Sequence, residues 1–133
     1  MILTNKRKAK LSKFFKFKRV AYLPFILNLE PGNICNLRCP LCPTGKEEPG
    51  LAKGFMSLEL FKRVFDQLKK SLGSINLYSW GEPLLNKDII PIIKYAKSEN
   101  QKISITTSTN LNLKNDLLLV DLIASGIDEI IVS

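Results

Sequence analysis

The strongest constraint on the fold is a regular alternation of strand-like and helix-like segments that runs from residue 25 to residue 133. Four segments rich in apolar or β-branched residues, each bounded by turn formers, are predicted to be strands: 25–30, 74–79, 102–108 and 127–133. Strands separated by single helices pair in parallel through right-handed crossovers. The sequence therefore predicts an α/β domain built from parallel βα repeats.

Capping residues and apolar periodicity place three helices between these strands. We expect the first to begin after Ser57 and end at Gly73, the second to begin after Asp88, and the third to begin at 115–116 and end at Gly126. Their predicted buried faces are, in chain order, Phe61, Val64, Phe65, Leu68 and Leu72; Ile89, Ile92, Ile93 and Ala96; and Leu119, Leu122 and Ile123.

The length limits how many βα units the chain holds. Its 133 residues are too few for a closed eight-unit α/β barrel, which takes about 250. Parallel sheets normally have helices on both faces, yet no helix follows the fourth predicted strand. We therefore expect a truncated domain whose last strand forms an exposed apolar edge that self-associates.

The positive charge is confined to the N-terminal segment. Of the 20 basic residues, eight lie in residues 1–24 with no acidic residue, which leaves 12 basic and 12 acidic residues in 25–133. We therefore divide the chain into a basic amphipathic leader, 1–24, and a charge-neutral domain, 25–133. A neutral charge balance argues against a nucleic-acid partner for the domain itself.

The leader lacks the apolar stretch of a signal peptide. Leu11, Phe14, Phe15 and Lys18 fall at helical spacing, which favours a helix whose apolar stripe docks on the domain. Two alternatives stay open: residues 6–20 on an anionic membrane surface, or the leader on nucleic acid. No run approaches the ~18 apolar residues of a membrane span. Without a targeting signal we expect a reducing cytoplasm, where clustered cysteines more often bind metals than form disulfides.

All three cysteines lie on the loop after the first strand, as Cys35, Cys39 and Cys42, with the spacing C-x3-C-x2-C. The chain has no fourth cysteine and no histidine, so a zinc site with four Cys or His ligands and a four-cysteine ferredoxin cluster are both excluded. Three thiolates suit a [4Fe–4S] cluster in which one iron is left open for another ligand.

Polar residues follow the other strands as well. Gly81-Glu82-Pro83 follows the second strand, Asn110 follows the third, and Ser133 ends the fourth. Ligands of parallel α/β sheets bind outside the carboxyl ends of the strands, so these residues and the cysteines are expected at one edge. Two plainer interpretations remain: Glu82 as a solvated loop carboxylate, and Asn110 as a left-handed turn residue.

The cysteine motif after the first strand, together with Gly81-Glu82-Pro83 after the second, resembles the radical S-adenosylmethionine (radical SAM) enzymes. The resemblance implies a partial (βα)6 TIM-like barrel, of which 25–133 would be the N-terminal part. It also implies that the cysteines hold three irons of a [4Fe–4S] cluster and that SAM chelates the fourth. One electron from the cluster then cleaves SAM to a 5′-deoxyadenosyl radical, and the cofactor carries the difficult chemistry.

The same resemblance implies roles for further residues and partners. Its implied cofactor-binding residues are Gly81, Glu82, Pro83, Asn110 and Ser133, and its implied metal ligands are Cys35, Cys39 and Cys42. Leu41 and Trp80 replace more usual family residues, as in a branch that often carries a C-terminal cysteine-rich domain. A flavodoxin- or ferredoxin-like electron donor is implied, with a peptide, protein or small-molecule substrate, the last including cofactor biosynthesis.

One alternative function is a non-catalytic Fe–S or electron-transfer module from a truncated relative. It would bind a cluster without processing SAM. Under either interpretation, we expect the 133-residue chain to be incompetent as an enzyme alone, because an open pocket does not seclude a radical from side reactions.

Overall fold

The computed structural model describes residues 5–46, 49–50, 52–113 and 117–133. Four strands form one sheet in the order in which they occur along the chain, and every neighbouring pair is parallel. The predicted α/β architecture of parallel βα repeats is confirmed. The elements are α1 (Asn5–Phe14), β1 (Ile26–Leu29), α2 (Leu58–Leu68), β2 (Ser74–Leu77), the 3-10 turn η1 (Pro83–Leu85), α3 (Ile89–Glu99), β3 (Ser104–Thr109), α4 (Leu117–Ala124) and β4 (Glu129–Val132).

The core lies between the sheet and the helices. Ile75 and Leu77 of β2 and Ile105 of β3 are fully buried on the helix-facing side. The predicted apolar face of α3 is completely buried, and α2 contributes stacked Phe61 and Phe65 rings with centroids 5.3 Å apart. The fully buried helix residues of this core are Phe61, Phe65, Ile89, Ile92, Ile93, Ala96 and Leu122.

The prediction for the last helix is wrong at one position. Leu122 of α4 is buried as expected, but Ile123 is 68% exposed. Leu117 and Val120 are exposed too, because α4 is apolar on several sides and turns only one row of side chains to the core. The predicted start of this helix at residues 115–116 lies outside the described residues, and its predicted end at Gly126 is confirmed within two residues.

The predicted N-caps of α2 and α3 occupy their expected positions, but one of them makes an unexpected bond. Ser57 caps α2, and its Oγ accepts a hydrogen bond from Leu60 N at 3.2 Å. Asp88 stands at the N-cap of α3, yet its carboxylate accepts from Leu58 N of α2 at 3.1 Å. Asp88 therefore joins the starts of two helices. The predicted end of α2 at Gly73 is wrong: the helix ends at Leu68 with Lys69 as its C-cap, and the N–H of Gly73 donates instead to Phe25 O, beside the start of β1.

The leader forms a helix, but its apolar stripe does not dock on the domain. Phe14 is 80% exposed, and Leu11 and Phe15 are about half exposed. The rings of Phe14, Phe15 and Phe17 pack against one another instead, with centroids 5.0 and 5.8 Å apart. The docking interpretation is wrong because these aromatic rings pack against one another and stay more than half exposed. No helix within the described ranges is long and apolar enough to cross a bilayer.

Strand register places a polar row across the face of the sheet that does not pack on the core. Asn28, Asn76, Thr106 and Glu129 are aligned partners in β1 to β4. Asn76 Nδ2 donates to Asn28 Oδ1 at 2.7 Å, and Thr106 Oγ1 donates to Glu129 at 3.1 Å. This row does not appear as a motif in the sequence, because its members become neighbours only through strand pairing.

The last strand has exposed apolar side chains, as expected. Within β4, Val132 is 62% exposed and Ile131 is 38% exposed. In the described sheet β4 pairs with β3 on one side. Self-association through this edge stays a prediction.

Asn86 is the buried side chain that ties the loops beneath the site together. It is 2% exposed, and its Nδ2 donates to the carbonyls of Pro31 and Met56 at 2.8 Å each. Its Oδ1 accepts from Asp88 N at 2.9 Å. All of its side-chain polar atoms are therefore paired, as buried amides require.

We predict that Asn86→Asp destabilises the protein by about 1–3 kcal/mol, because two buried carbonyls lose their donor and face a carboxylate. The free energy of unfolding from urea titration measures the effect. Gln101→Glu makes the same chemical change at an exposed turn residue and should shift stability by no more than about 0.5 kcal/mol. Equal effects of the two substitutions would contradict this role for Asn86.

Candidate functional site

The cysteine loop is closed at its base by a short antiparallel contact. After β1, Asn33 N donates to Gly54 O at 3.2 Å and Met56 N donates to Pro31 O at 2.8 Å. The Asn33 side chain reinforces the contact, donating to Ala52 O and accepting from Gly54 N, both at 2.8 Å. The intervening segment, which carries all three cysteines, is therefore anchored at the carboxyl end of β1.

Tight turns bring the cysteines together on one loop. Cys42 N donates to Cys39 O at 3.1 Å, and Lys46 N donates to Cys42 O at 2.9 Å. At Gly45 an added Cβ would lie 2.7 Å from both the N and the O of Cys39, so only glycine fits this return of the chain. All three cysteines are free thiols; Cys39 is exposed, and Cys35 and Cys42 are half-buried.

The chemistry of the donor set fits a [4Fe–4S] cluster. In the part of the chain that the structure describes, no three Cys, His, Asp or Glu side chains converge on one ion position. The sequence has three cysteines and no histidine, so a zinc site with four Cys or His ligands has too few donors. In a [4Fe–4S] cluster each cysteine binds a different iron, so three thiols on one loop serve three irons.

The loop after β2 packs directly on the cysteine loop. A Cβ at Gly81 would lie 1.9 Å from Gly32 O and 3.0 Å from Ile34 O, and Glu82 N donates to Ile34 O at 2.9 Å. The close approach that requires glycine at position 81 is therefore to the protein backbone. Beside it, Cys42 Sγ lies 3.9 Å from Trp80 O.

Glu82 is a buried clamp between two loops. It is 3% exposed, so the interpretation as a solvated loop carboxylate is wrong. One carboxylate oxygen accepts from Leu84 N at 3.1 Å and caps η1, where Pro83 is the first residue and is buried. The other oxygen accepts from Asn110 N at 2.8 Å, in the loop after β3. Contact of Glu82 with SAM stays a prediction.

Asn110 reaches the cysteine loop with its side chain. Its Nδ2 lies 3.8 Å from Cys35 Sγ and donates to Asn36 Oδ1 at 2.8 Å. The left-handed residue of this turn is Leu111, with φ of 57°, so the left-handed interpretation of Asn110 is wrong by one position. Asn110 can instead accept from the main chain two residues on, as asparagine does in turns.

Ser133 lies at the same edge but apart from this network. Its N–H donates to Thr109 O at 3.1 Å, which extends the pairing of β4 with β3, and the residue is exposed. Leu41, beside the last cysteine, is 90% exposed. The structure thus brings Cys35, Cys42, Glu82 and Asn110 into one set of contacts and leaves Ser133 at its margin.

Sequence reasoning missed two residues of this edge. Glu30 follows β1, and its Oε1 accepts from Trp80 N at 2.9 Å, which fixes the loop after β2. Asn36, inside the cysteine motif, bonds the loop after β3. The position of Glu30 at the carboxyl end of a predicted strand was the available signal, and the partner of each residue depends on tertiary contacts.

The groups with shifted pKa values lie away from the cysteines, in hydrogen bonds and ion pairs that join helices and strands. At the amino end of β4, burial acts to raise the pKa of Asp128, but the ammonium of Lys97 at 2.6 Å and the N–H of Ile105 lower it below its ordinary value. Between α2 and α3, the hydroxyl of Tyr95 donates to Asp66, which lowers the pKa of Asp66 and raises that of Tyr95.

A sequence profile of the radical SAM superfamily matches residues 29–133. The chain belongs to the radical SAM superfamily. The resemblance drawn from the cysteine and Gly-Glu-Pro motifs is confirmed. The superfamily uses a [4Fe–4S] cluster and SAM, so the cofactor prediction is confirmed at the level of the family.

Two curated relatives of the chain are radical SAM enzymes. It is 30% identical over 104 residues to an S-adenosylmethionine-dependent nucleotide dehydratase of Selenomonas ruminantium, covering 77% of this chain and 36% of that protein. It is 33% identical over 89 residues to a GTP 3′,8-cyclase of Cronobacter sakazakii, covering 65% of this chain and 27% of that protein. The chain thus spans about a third of the length of these relatives.

Among solved structures, the fold is similar to BtrN in complex with AdoMet and 2-DOIA, with a TM-score of 0.72 and 26% identity. The match covers 83% of this chain and 45% of BtrN. An open conformation of BtrN matches with a TM-score of 0.70 and 25% identity, over 85% of this chain and 51% of that one. The predicted relation to the first half of a TIM-like barrel is confirmed.

We predict that Glu82→Gln lowers the free energy of unfolding by about 1–3 kcal/mol. Glutamine offers one carbonyl oxygen, so either Leu84 N or Asn110 N loses its acceptor in a buried place. Urea unfolding measures the change.

The matched control is Glu59→Gln. Glu59 is exposed and pairs with Lys62 one turn along α2, so its loss should cost at most about 0.5 kcal/mol. A Glu82→Gln variant as stable as Glu59→Gln would contradict the clamp.

Proposed function

We propose that this chain is the part of a radical SAM enzyme that binds a [4Fe–4S] cluster through Cys35, Cys39 and Cys42 and holds SAM beside it. The observation that carries the proposal is the meeting of three strand-end loops at the cysteines. The loop after β2 contributes Trp80 O, 3.9 Å from Cys42 Sγ, and the loop after β3 contributes Asn110 Nδ2, 3.8 Å from Cys35 Sγ.

The chemistry of the donor set supports a cluster. Three cysteines can hold three irons, and the sequence has no fourth cysteine and no histidine for the fourth iron, which leaves the position that SAM chelation needs. When bound, the cluster supplies the electron that initiates radical chemistry on SAM. The protein residues bind, orient and seclude the two cofactors.

We assign the SAM side of the site to Gly81, Glu82, Pro83, Asn110 and Ser133. An ionised carboxylate has about four lone-pair positions, and Glu82 uses two of them for Leu84 N and Asn110 N. We propose that the SAM ammonium donates to a remaining position at the 3% of Glu82 that stays exposed. Pro83 is buried, so its part is to fix the turn that orients Glu82.

For the whole protein we propose a class of substrate and a class of electron donor. Two similar enzymes are named for nucleotide substrates, and BtrN was crystallised with a small molecule, which favours a small-molecule substrate over a peptide or protein. The cluster needs an electron from outside, and we propose a flavodoxin- or ferredoxin-like donor. The exposed Cys39 supports an approach of the donor to the cysteine loop.

We predict about four irons per chain after anaerobic reconstitution, the content of one [4Fe–4S] cluster. Replacing Cys35, Cys39 or Cys42 by alanine should abolish the cluster, because each thiolate holds a separate iron. Iron and sulfide analysis with the visible absorption spectrum measures this. Leu41→Ala is the matched control in the same loop and should keep full iron content, since Leu41 is 90% exposed and has no ligand atom.

Two results would redirect the proposal. Stoichiometric zinc without iron uptake would count decisively against the cluster. Full iron content without SAM binding, in equilibrium dialysis of the reconstituted protein, would support the alternative of an Fe–S module. With SAM bound, release of 5′-deoxyadenosine on addition of a strong reductant would establish the radical reaction.

A further inference from the structure

We propose that Asn110 is a positioning residue that donates an N–H···S hydrogen bond to Cys35 and thereby raises the reduction potential of the cluster. The inference rests on the proposed function, because only a cluster held by Cys35 has a potential to adjust. Asn110 lies 75 positions from Cys35 in the chain, on the loop after β3, and its Nδ2 stands 3.8 Å from the Cys35 sulfur.

The orientation of the Asn110 amide is dictated by a main-chain group. Asn112 N lies 2.8 Å from Asn110 Oδ1, and a backbone N–H can only donate. The amide oxygen must therefore face Asn112. The amide nitrogen consequently faces Cys35, where a flipped amide would present an oxygen to the sulfur.

Asn36 fixes the other end of the same network. Its Nδ2 donates to Asn112 O at 2.5 Å, and a carbonyl can only accept. Its Oδ1 therefore faces Asn110 Nδ2, at 2.8 Å. One of the two hydrogens on Asn110 Nδ2 is used by Asn36, and the second remains for Cys35.

The turn that presents Asn110 is held in an uncommon conformation. Leu111 has φ of 57°, in the left-handed region that side chains other than glycine, asparagine and aspartate rarely adopt. Leu111 N donates to Thr109 Oγ1 at 3.1 Å, and Asn110 N donates to the buried carboxylate of Glu82 at 2.8 Å. These bonds place the amide before any cofactor binds.

A hydrogen-bond donor at this position changes the reduction potential of the cluster. Reduction adds one negative charge that is shared by the cysteine sulfurs, and hydrogen bonds to those sulfurs help set the potential of Fe–S clusters. A donated hydrogen bond to a charged acceptor is stronger than one to a neutral acceptor, so it favours the electron-rich state. Removing the donor should make the cluster harder to reduce.

Asn110→Ser tests this inference. Serine is uncharged and keeps a side-chain oxygen that can accept from Asn112 N, but its shorter side chain cannot reach Cys35. Wild-type and variant chains are reconstituted anaerobically without SAM, and the cluster is titrated against potential by EPR. At one fixed potential we expect the ratio of reduced to oxidised cluster to fall about tenfold, which corresponds to about 59 mV for a one-electron couple.

Asn112→Ala is the matched control on the same turn. The network uses only the main-chain N and O of Asn112, so this substitution should leave the potential unchanged. An unchanged potential in Asn110→Ser with full iron content would overturn the inference. An equal shift in Asn112→Ala would overturn it as well, because the effect would then belong to the loop.

Asn36→Ala keeps the inference testable if Asn110→Ser takes up no cluster. It removes one anchor of the Asn110 amide and leaves the donor, so the potential should fall in the same direction by a smaller amount. No shift in Asn36→Ala would then overturn the inference. Absence of a cluster from the wild-type protein would instead refute the proposed function, and the inference with it.

Discussion

The organisation of this site depends on one buried carboxylate. Glu82 is almost completely shielded from water and accepts hydrogen bonds from Leu84 N and Asn110 N. Burying a carboxylate costs free energy unless its oxygens accept hydrogen bonds. The N–H groups of Leu84 and Asn110 donate to the two oxygens and offset this cost. Through this bond the loop after β2 and the loop after β3 form one unit, and Glu82 N joins that unit to Ile34 in the cysteine loop.

The remaining contacts of the site follow from that junction. With Asn110 fixed by its main chain, its side chain reaches Cys35 and Asn36, and Gly81 allows the loop after β2 to approach the backbone at Gly32. Most of these bonds run between loops that are distant in sequence. The residue that we propose for SAM binding therefore also has a structural role, which uses two lone-pair positions of its carboxylate for Leu84 N and Asn110 N.

Parallel strand pairing explains why the candidate site residues lie at one edge of the sheet. The carboxyl ends of β1, β2 and β3 meet there, and the loops that follow them carry the cysteines, Glu82 and Asn110. The amino ends carry a different arrangement, in which the ammonium of Lys97 bonds Asp128 and Ile103 O. At the amino ends the charged groups bond to other groups of the protein, whereas the carboxyl ends carry three free thiols.

The order of strands and helices, the fully buried residues of α2 and α3, the cysteine motif and the family could all be predicted from the amino-acid sequence. These follow from local periodicity, capping residues and spacing along the chain, which act over a few residues. Four features depend on the folded chain: the bond of Asp88 to α2, the exposure of the aromatic side chains of the leader, the left-handed conformation of Leu111, and the pairing of Asn36 with Asn110 beside Cys35. Each of these depends on a partner distant in the chain or on the space that packing leaves, and a hydrogen bond has no signature in the chain until folding brings its two atoms within about 3 Å.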